Sequence, residues 1–186
     1  MLSDGFVAKF SNTIGARGLR LIGRLNVPAY RLSGGRIGNK VGDGPVLLLT
    51  TTGRKSGEPR TAPILYLAHG EAMVLIDTNG GNEKLPGWSY NLKAKPRAEV
   101  EIGRRRLPVT ARVATGTERE ALWRAAVAQY AGFDDYVKWL DRTPSVWVLE
   151  PATVEEGADP ESDEVDAGTG RESAAAVADT SPSDII

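Results

Sequence analysis

The chain has 186 residues and is 41% hydrophobic, with no cysteine and a single histidine, His69. That suits one domain with extensions, and it excludes disulfides, thiolate nucleophiles, cysteine-ligated metals, histidine-rich metal sites and any redundant Ser-His-Asp triad. The net charge of −1 hides a division: residues 151–186 carry ten acidic side chains against Arg171 alone, −9, leaving 22 basic and 14 acidic side chains, +8, in residues 1–150. A basic domain suits an anionic partner, whether a phosphorylated cofactor, an anionic membrane surface or nucleic acid.

Residues 1–40 form a basic amphipathic segment. Phe6, Phe10 and Ile14 recur every fourth residue, while Lys9, Arg17, Arg20, Arg24 and Arg31 stand against a lone Asp4 in residues 1–33. Such a segment can lie on an anionic membrane or dock on its own domain, and Gly15 and Gly18 weaken it as a helix. With no apolar run of about 18 residues and no cleavable leader, the expected location is the cytoplasm. The first segment is then a candidate for peripheral contact with the inner face of the cell membrane.

Strand patterns follow at Val46–Thr52, Thr61–Ala68, Ala72–Asp77, Glu99–Ile102, Leu107–Val113 and Val146–Leu149. In Leu107–Val113 the residues Leu107, Val109, Ala111 and Val113 are expected to face inward. Helices are expected over Trp88–Ala94, ending before Pro96, and after a capping box at Thr117-Glu118-Arg119-Glu120. Leu122, Trp123, Ala126, Val127 and Tyr130 then form one apolar stripe. A short helix places Phe133, Tyr136, Val137 and Leu140 on one face. Short strands joined by short connections predict a mainly β protein with helices (α+β) built as a small barrel over residues 41–151. Residues 152–186, acidic and without aromatic residues, read as a disordered tail.

The charged turn between the first two strands is Thr52-Gly53-Arg54-Lys55-Ser56-Gly57-Glu58-Pro59-Arg60. Two glycines allow successive N–H groups to converge, three cations surround them, and Ser56 adds a hydroxyl. The spacing is not that of a Walker loop, and a strand follows rather than a helix. Taken alone, an anion nest and an ordinary solvated hairpin turn are equally good readings of it. A second loop-rich cluster spans Asn79-Gly80-Gly81-Asn82 and Gly87-Trp88-Ser89-Tyr90-Asn91, where Trp88 is either a flat ligand face or core. His69 falls in a hairpin turn and is expected to face solvent. Arg104-Arg105-Arg106 sits at a strand turn without interleaved aromatics, so nucleic acid is not the expected partner.

Together, Leu48–Gly57, Arg60–Tyr66, Trp88–Ala94 and Val146–Pro151 resemble the deazaflavin (F420)-dependent nitroreductase family in motif order and spacing, from about Pro45 to Pro151. The resemblance implies a split β-barrel of the flavin-reductase-like kind. It also implies coenzyme F420 as cofactor and an F420H2-dependent oxidoreductase passing hydride to a quinone, nitroaromatic or other activated acceptor. In that reading the cofactor's phosphate and glutamates meet Arg54, Lys55, Ser56 and Arg60. The strand residues Thr61, Ala62, Pro63, Ile64 and Leu65 line the phosphate and ring. Ile76, Asp77, Thr78, Asn79, Gly87, Trp88, Ser89, Tyr90 and Asn91 complete the ring pocket. Tyr130, Phe133 and Tyr136 form an acceptor wall, with Phe133 also near the cofactor, although aromatic stripes at helical spacing are usually core. Relatives often carry tyrosine at Phe133 and lysine at Asn79. The alternatives are an FMN-binding split-barrel oxidoreductase and a non-catalytic deazaflavin carrier.

Overall fold

The computed structural model describes residues 26–152. The expectations for the chain before residue 26 and for the acidic tail fall outside the described residues. The chain divides into two units, Met1–Thr153 and Val154–Ile186; the second lies wholly outside them. The described part of the first begins in helix α1, residues 26–32. Strands β1 (Lys40–Val41), β2 (Gly44–Thr52), β3 (Pro59–Leu65), β4 (Leu67–His69) and β5 (Ala72–Ile76) follow. After a 3₁₀ turn at Asn79–Gly81 come α2 (Gly87–Ala94), β6 (Arg97–Ile102), β7 (Arg105–Val113), α3 (Gly116–Gln129), α4 (Gly132–Val137) and β8 (Val146–Pro151).

All pairings are antiparallel, in the order β1-β2-β6-β7-β8-β5-β4, with β3 also on β2. The predicted strand Thr61–Ala68 is therefore two strands. At Tyr66 the chain leaves β2 as partner and joins β5, and Tyr66 N donates to Pro45 O at 3.0 Å. Because β3 and β4 are one stretch of chain, the sheet curls back on itself as a split barrel. Burial first, and Tyr30 second, push the Tyr66 phenol above its ordinary pKa.

Two apolar clusters cover the two faces of β5 and β8, which therefore read as unbroken apolar runs; on β2, Leu47 and Leu49 join the first cluster while Val46 and Leu48 are buried outside both. Leu47, Leu49, Met73, Leu75, Val100, Val109, Trp147 and Leu149 fill one, completed by Trp88 and Leu92 of α2. Val74, Ile76, Val146 and Val148 point the other way, against Leu122, Ala126, Tyr130, Phe133 and Tyr136 of the α3–α4 region. On β2, Tyr30 of α1 is buried, its hydroxyl receiving Gly103 N–H at 2.9 Å and lying 3.3 Å from Val46 O. Arg31 beside it pairs with the buried carboxylate of Glu101.

Two local expectations are corrected. Val113 is 41% exposed, because β7 ends there and no described residue covers it as Val109 and Ala111 are covered. The Thr117 capping box does not form. Helix α3 starts earlier, at Gly116 with φ +54°, and its N-cap Thr115 makes no side-chain cap. Glu118, now the third residue after the N-cap, accepts both Arg112 Nη groups at 2.8 Å in a charge-assisted pair rather than reaching back to the cap. His69 ends β4 and is exposed, as expected.

Candidate functional site

Strand register gathers the end of β2, the starts of β3, β6 and β8, and the ends of β5 and β7 at one end of the barrel. The charged turn closes β2 onto β3 there. Gly53 N donates to Glu58 O and Gly57 N to Gly53 O, both at 2.8 Å. Gly57 sits at φ +73°, and a Cβ on Gly53 would lie 2.7 Å from Ser56 Oγ, so the turn needs both glycines. Ser56 Oγ accepts from Glu58 N and Arg60 Nη2, each at 3.3 Å, which leaves its own proton to donate. Arg54, Lys55 and Arg60 are exposed, and none forms an ion pair with a described residue.

Helix α2 is clasped to this turn. Asn91 Oδ1 accepts from Arg54 N at 3.1 Å, while Asn91 Nδ2 donates to Thr51 Oγ1 at 3.0 Å. The Arg54 guanidinium lies 4.4 Å above the centre of the Tyr90 ring. These contacts fix the turn before any ligand arrives. Along β3, Thr61 Oγ1 meets Thr50 Oγ1 at 2.9 Å, and Ala62, Pro63, Ile64 and Leu65 are half-buried. One edge of β3 pairs with β2; no described strand pairs with the other.

The other end of α2 is tied to Asp77, whose carboxylate is 0% exposed. It accepts from Ser89 Oγ at 2.8 Å, Ser145 N at 2.7 Å, Trp147 Nε1 at 3.4 Å and Arg142 Nη1 at 3.4 Å. Arg142 also donates to Asp77 O, Asn82 O and Glu83 O. Asp77 and Ser89 thus hold the loop, α2 and β8 together from beneath the surface. Ile76, Thr78 and Trp88 are buried as well. Among the expected ring-pocket residues, Asn79, Gly87 and Tyr90 face solvent, and Asn79 adopts φ +52° while its Nδ2 donates to Lys84 O at 2.8 Å.

Tyr130, Phe133 and Tyr136 come together and pack on one another. Tyr130 and Phe133 meet edge-on at 5.4 Å, the Tyr130 and Tyr136 hydroxyls are 3.1 Å apart, and all three side chains are buried. Trp139, absent from the sequence-based expectations, extends the row: its ring lies 6.1 Å from Tyr136. Arg142 was equally unforeseen, since its partner Asp77 lies 65 residues away and no local pattern announces it. Among the described residues, no group of three or more metal-type ligands gathers. No helix among them is long and apolar enough to cross a membrane.

Residues 22–151 match the F420H(2)-dependent quinone reductase family. The chain belongs to that family. An F420H(2)-dependent quinone reductase of Mycobacterium tuberculosis is 43% identical over 96 residues, 51% of this chain and 64% of the relative. The match therefore spans just under two thirds of that relative's length. Among solved structures, an F420-H2 dependent reductase shares 38% identity with a TM-score of 0.54, over 60% of this chain and 98% of that one. A chain described as a domain-swapped dimer shares 34% identity with a TM-score of 0.56, over 67% and 91% respectively. The expected split barrel is thus the fold of its relatives. Membership in an F420H(2)-dependent family lends no support to FMN.

Proposed function

We propose that this chain is an F420H2-dependent reductase that passes hydride from the reduced cofactor to a quinone, with nitroaromatics as further activated acceptors. The observation that carries the reading is the exposed cationic turn, clasped to α2, in a chain of this family. The residues present suit a polyanionic cofactor. Arg54, Lys55 and Arg60 offer three cations without carboxylate partners among the described residues, and Ser56 offers a hydroxyl proton. When bound, the deazaflavin supplies the hydride chemistry, so the protein's task is binding, orientation and exclusion of water.

Arg54, Lys55, Ser56 and Arg60 would hold the phosphate and glutamates. Stacking on Tyr90 and the Asn91 clasp stop the turn from collapsing onto other partners, so little ordering is left for binding to accomplish. The edge of β3 that no described strand pairs, and the surface at Asn79, Gly87 and Tyr90, would receive the ring. Asp77, Ser89 and Asn91 act by positioning α2 rather than by touching the ligand. The test mixes purified protein with reduced F420 and menadione and follows the return of cofactor absorbance. Reoxidation that scales with protein concentration is expected; a rate equal to the protein-free control contradicts the proposal.

A further inference from the structure

Trp139 is 48% exposed, whereas its aromatic neighbours Tyr130, Phe133 and Tyr136 are buried. Its position is nonetheless tightly set. Trp139 N donates to Tyr136 O at 3.2 Å. One edge of the indole lies over Gly81 of the 3₁₀ turn, where a Cβ would stand 2.5 Å from Trp139 Cε3. Three residues on, Arg142 ties this stretch to Asp77, Asn82 and Glu83. The 3₁₀ turn leaves β5 at the same end of the barrel as the cationic turn and α2. A rigid frame therefore holds a large apolar ring half in water, beside the loop that ends at the candidate cofactor site.

The geometry points to Trp139 as the platform on which a planar, electron-poor acceptor ring stacks. This inference rests on the reductase reading and adds to it where the acceptor sits. Each ring of the trio is less than a tenth exposed, while Trp139 continues their row outward with about half its surface in water. An electron-rich indole face matches a quinone ring, and offset stacking of such rings is favourable beyond the area it buries. Glycine at position 81 lets the indole lie close against the turn.

The test uses the full chain with Trp139→Ala and Trp139→Phe. Trp139→Ala should raise the menadione KM roughly tenfold, the scale of one aromatic contact. The Kd for oxidised F420, titrated separately, should stay at the wild-type value. Trp139→Phe should recover most of the KM. Titrating menadione without cofactor should quench tryptophan emission with a saturable component that Trp139→Phe lacks. Turnover with an unchanged KM in Trp139→Ala overturns the platform. Absent turnover with the Trp139-dependent quench intact removes the reductase reading but keeps the platform, and loss of both removes both.

Discussion

Lys55 and Arg142 mark the difference between a residue proposed to meet the cofactor and one that holds the surrounding framework together. Lys55 is exposed on the turn and pairs with no described carboxylate, so its charge is available to an anion. Lys55→Ala should weaken F420 binding by about 1.5 kcal/mol, the lower end for hydrogen bonds to charged groups because the turn is solvated. The same variant should leave the urea midpoint unchanged. Arg142 behaves oppositely. Removing it leaves the Asp77 carboxylate fully buried without its cation, so Arg142→Ala should cost about 3–5 kcal/mol of stability, read from urea melts at constant m-value. The types and spacing of Gly53, Arg54, Lys55, Ser56 and Gly57 were legible because a turn writes its chemistry locally. The Asp77–Arg142 node was not, because a contact across 65 residues leaves no periodic trace.

Among the elements, the apolar runs of β2, β5 and β8 announced strands, but only the assembled fold shows why alternation is missing in β5 and β8: α2 packs on one face and the α3–α4 region on the other. The break at Tyr66 was invisible for a related reason. Nothing in Thr61–Ala68 signals a change of partner strand; the barrel's closure imposes it. The first turn of α3 shows competition between local and tertiary bonding. Arg112 of β7 pairs with Glu118, the third residue after the N-cap Thr115, and holds its carboxyl below the usual range, chiefly through their hydrogen bonds. A carboxylate whose folded pKa is depressed contributes stability above its unfolded pKa, about 4.3 for glutamate. That contribution is lost as the pH falls through the lower folded value. Glu118→Gln should therefore lower the melting temperature slightly at pH 7, and the gap should close in melts taken toward pH 3. A gap that persists there contradicts the pairing.

For the molecule as a whole, the split barrel and its family follow from motif order between Pro45 and Pro151, and residues 22–151 match the family. The expected acceptor wall of Tyr130, Phe133 and Tyr136 shows what motif order leaves open. The helical spacing that brings these rings together also buries them against β5 and β8, so the same pattern serves packing, and exposure alone singles out Trp139. The barrel presents Arg54, Lys55 and Arg60 at the end where α2 plugs the core, the end proposed above for a polyanionic cofactor. Parallel titrations of the purified chain with oxidised F420 and with FMN test this most directly. Saturable binding of F420, much tighter than that of FMN, is the predicted result; FMN binding as tightly, or F420 showing no saturation, would contradict it.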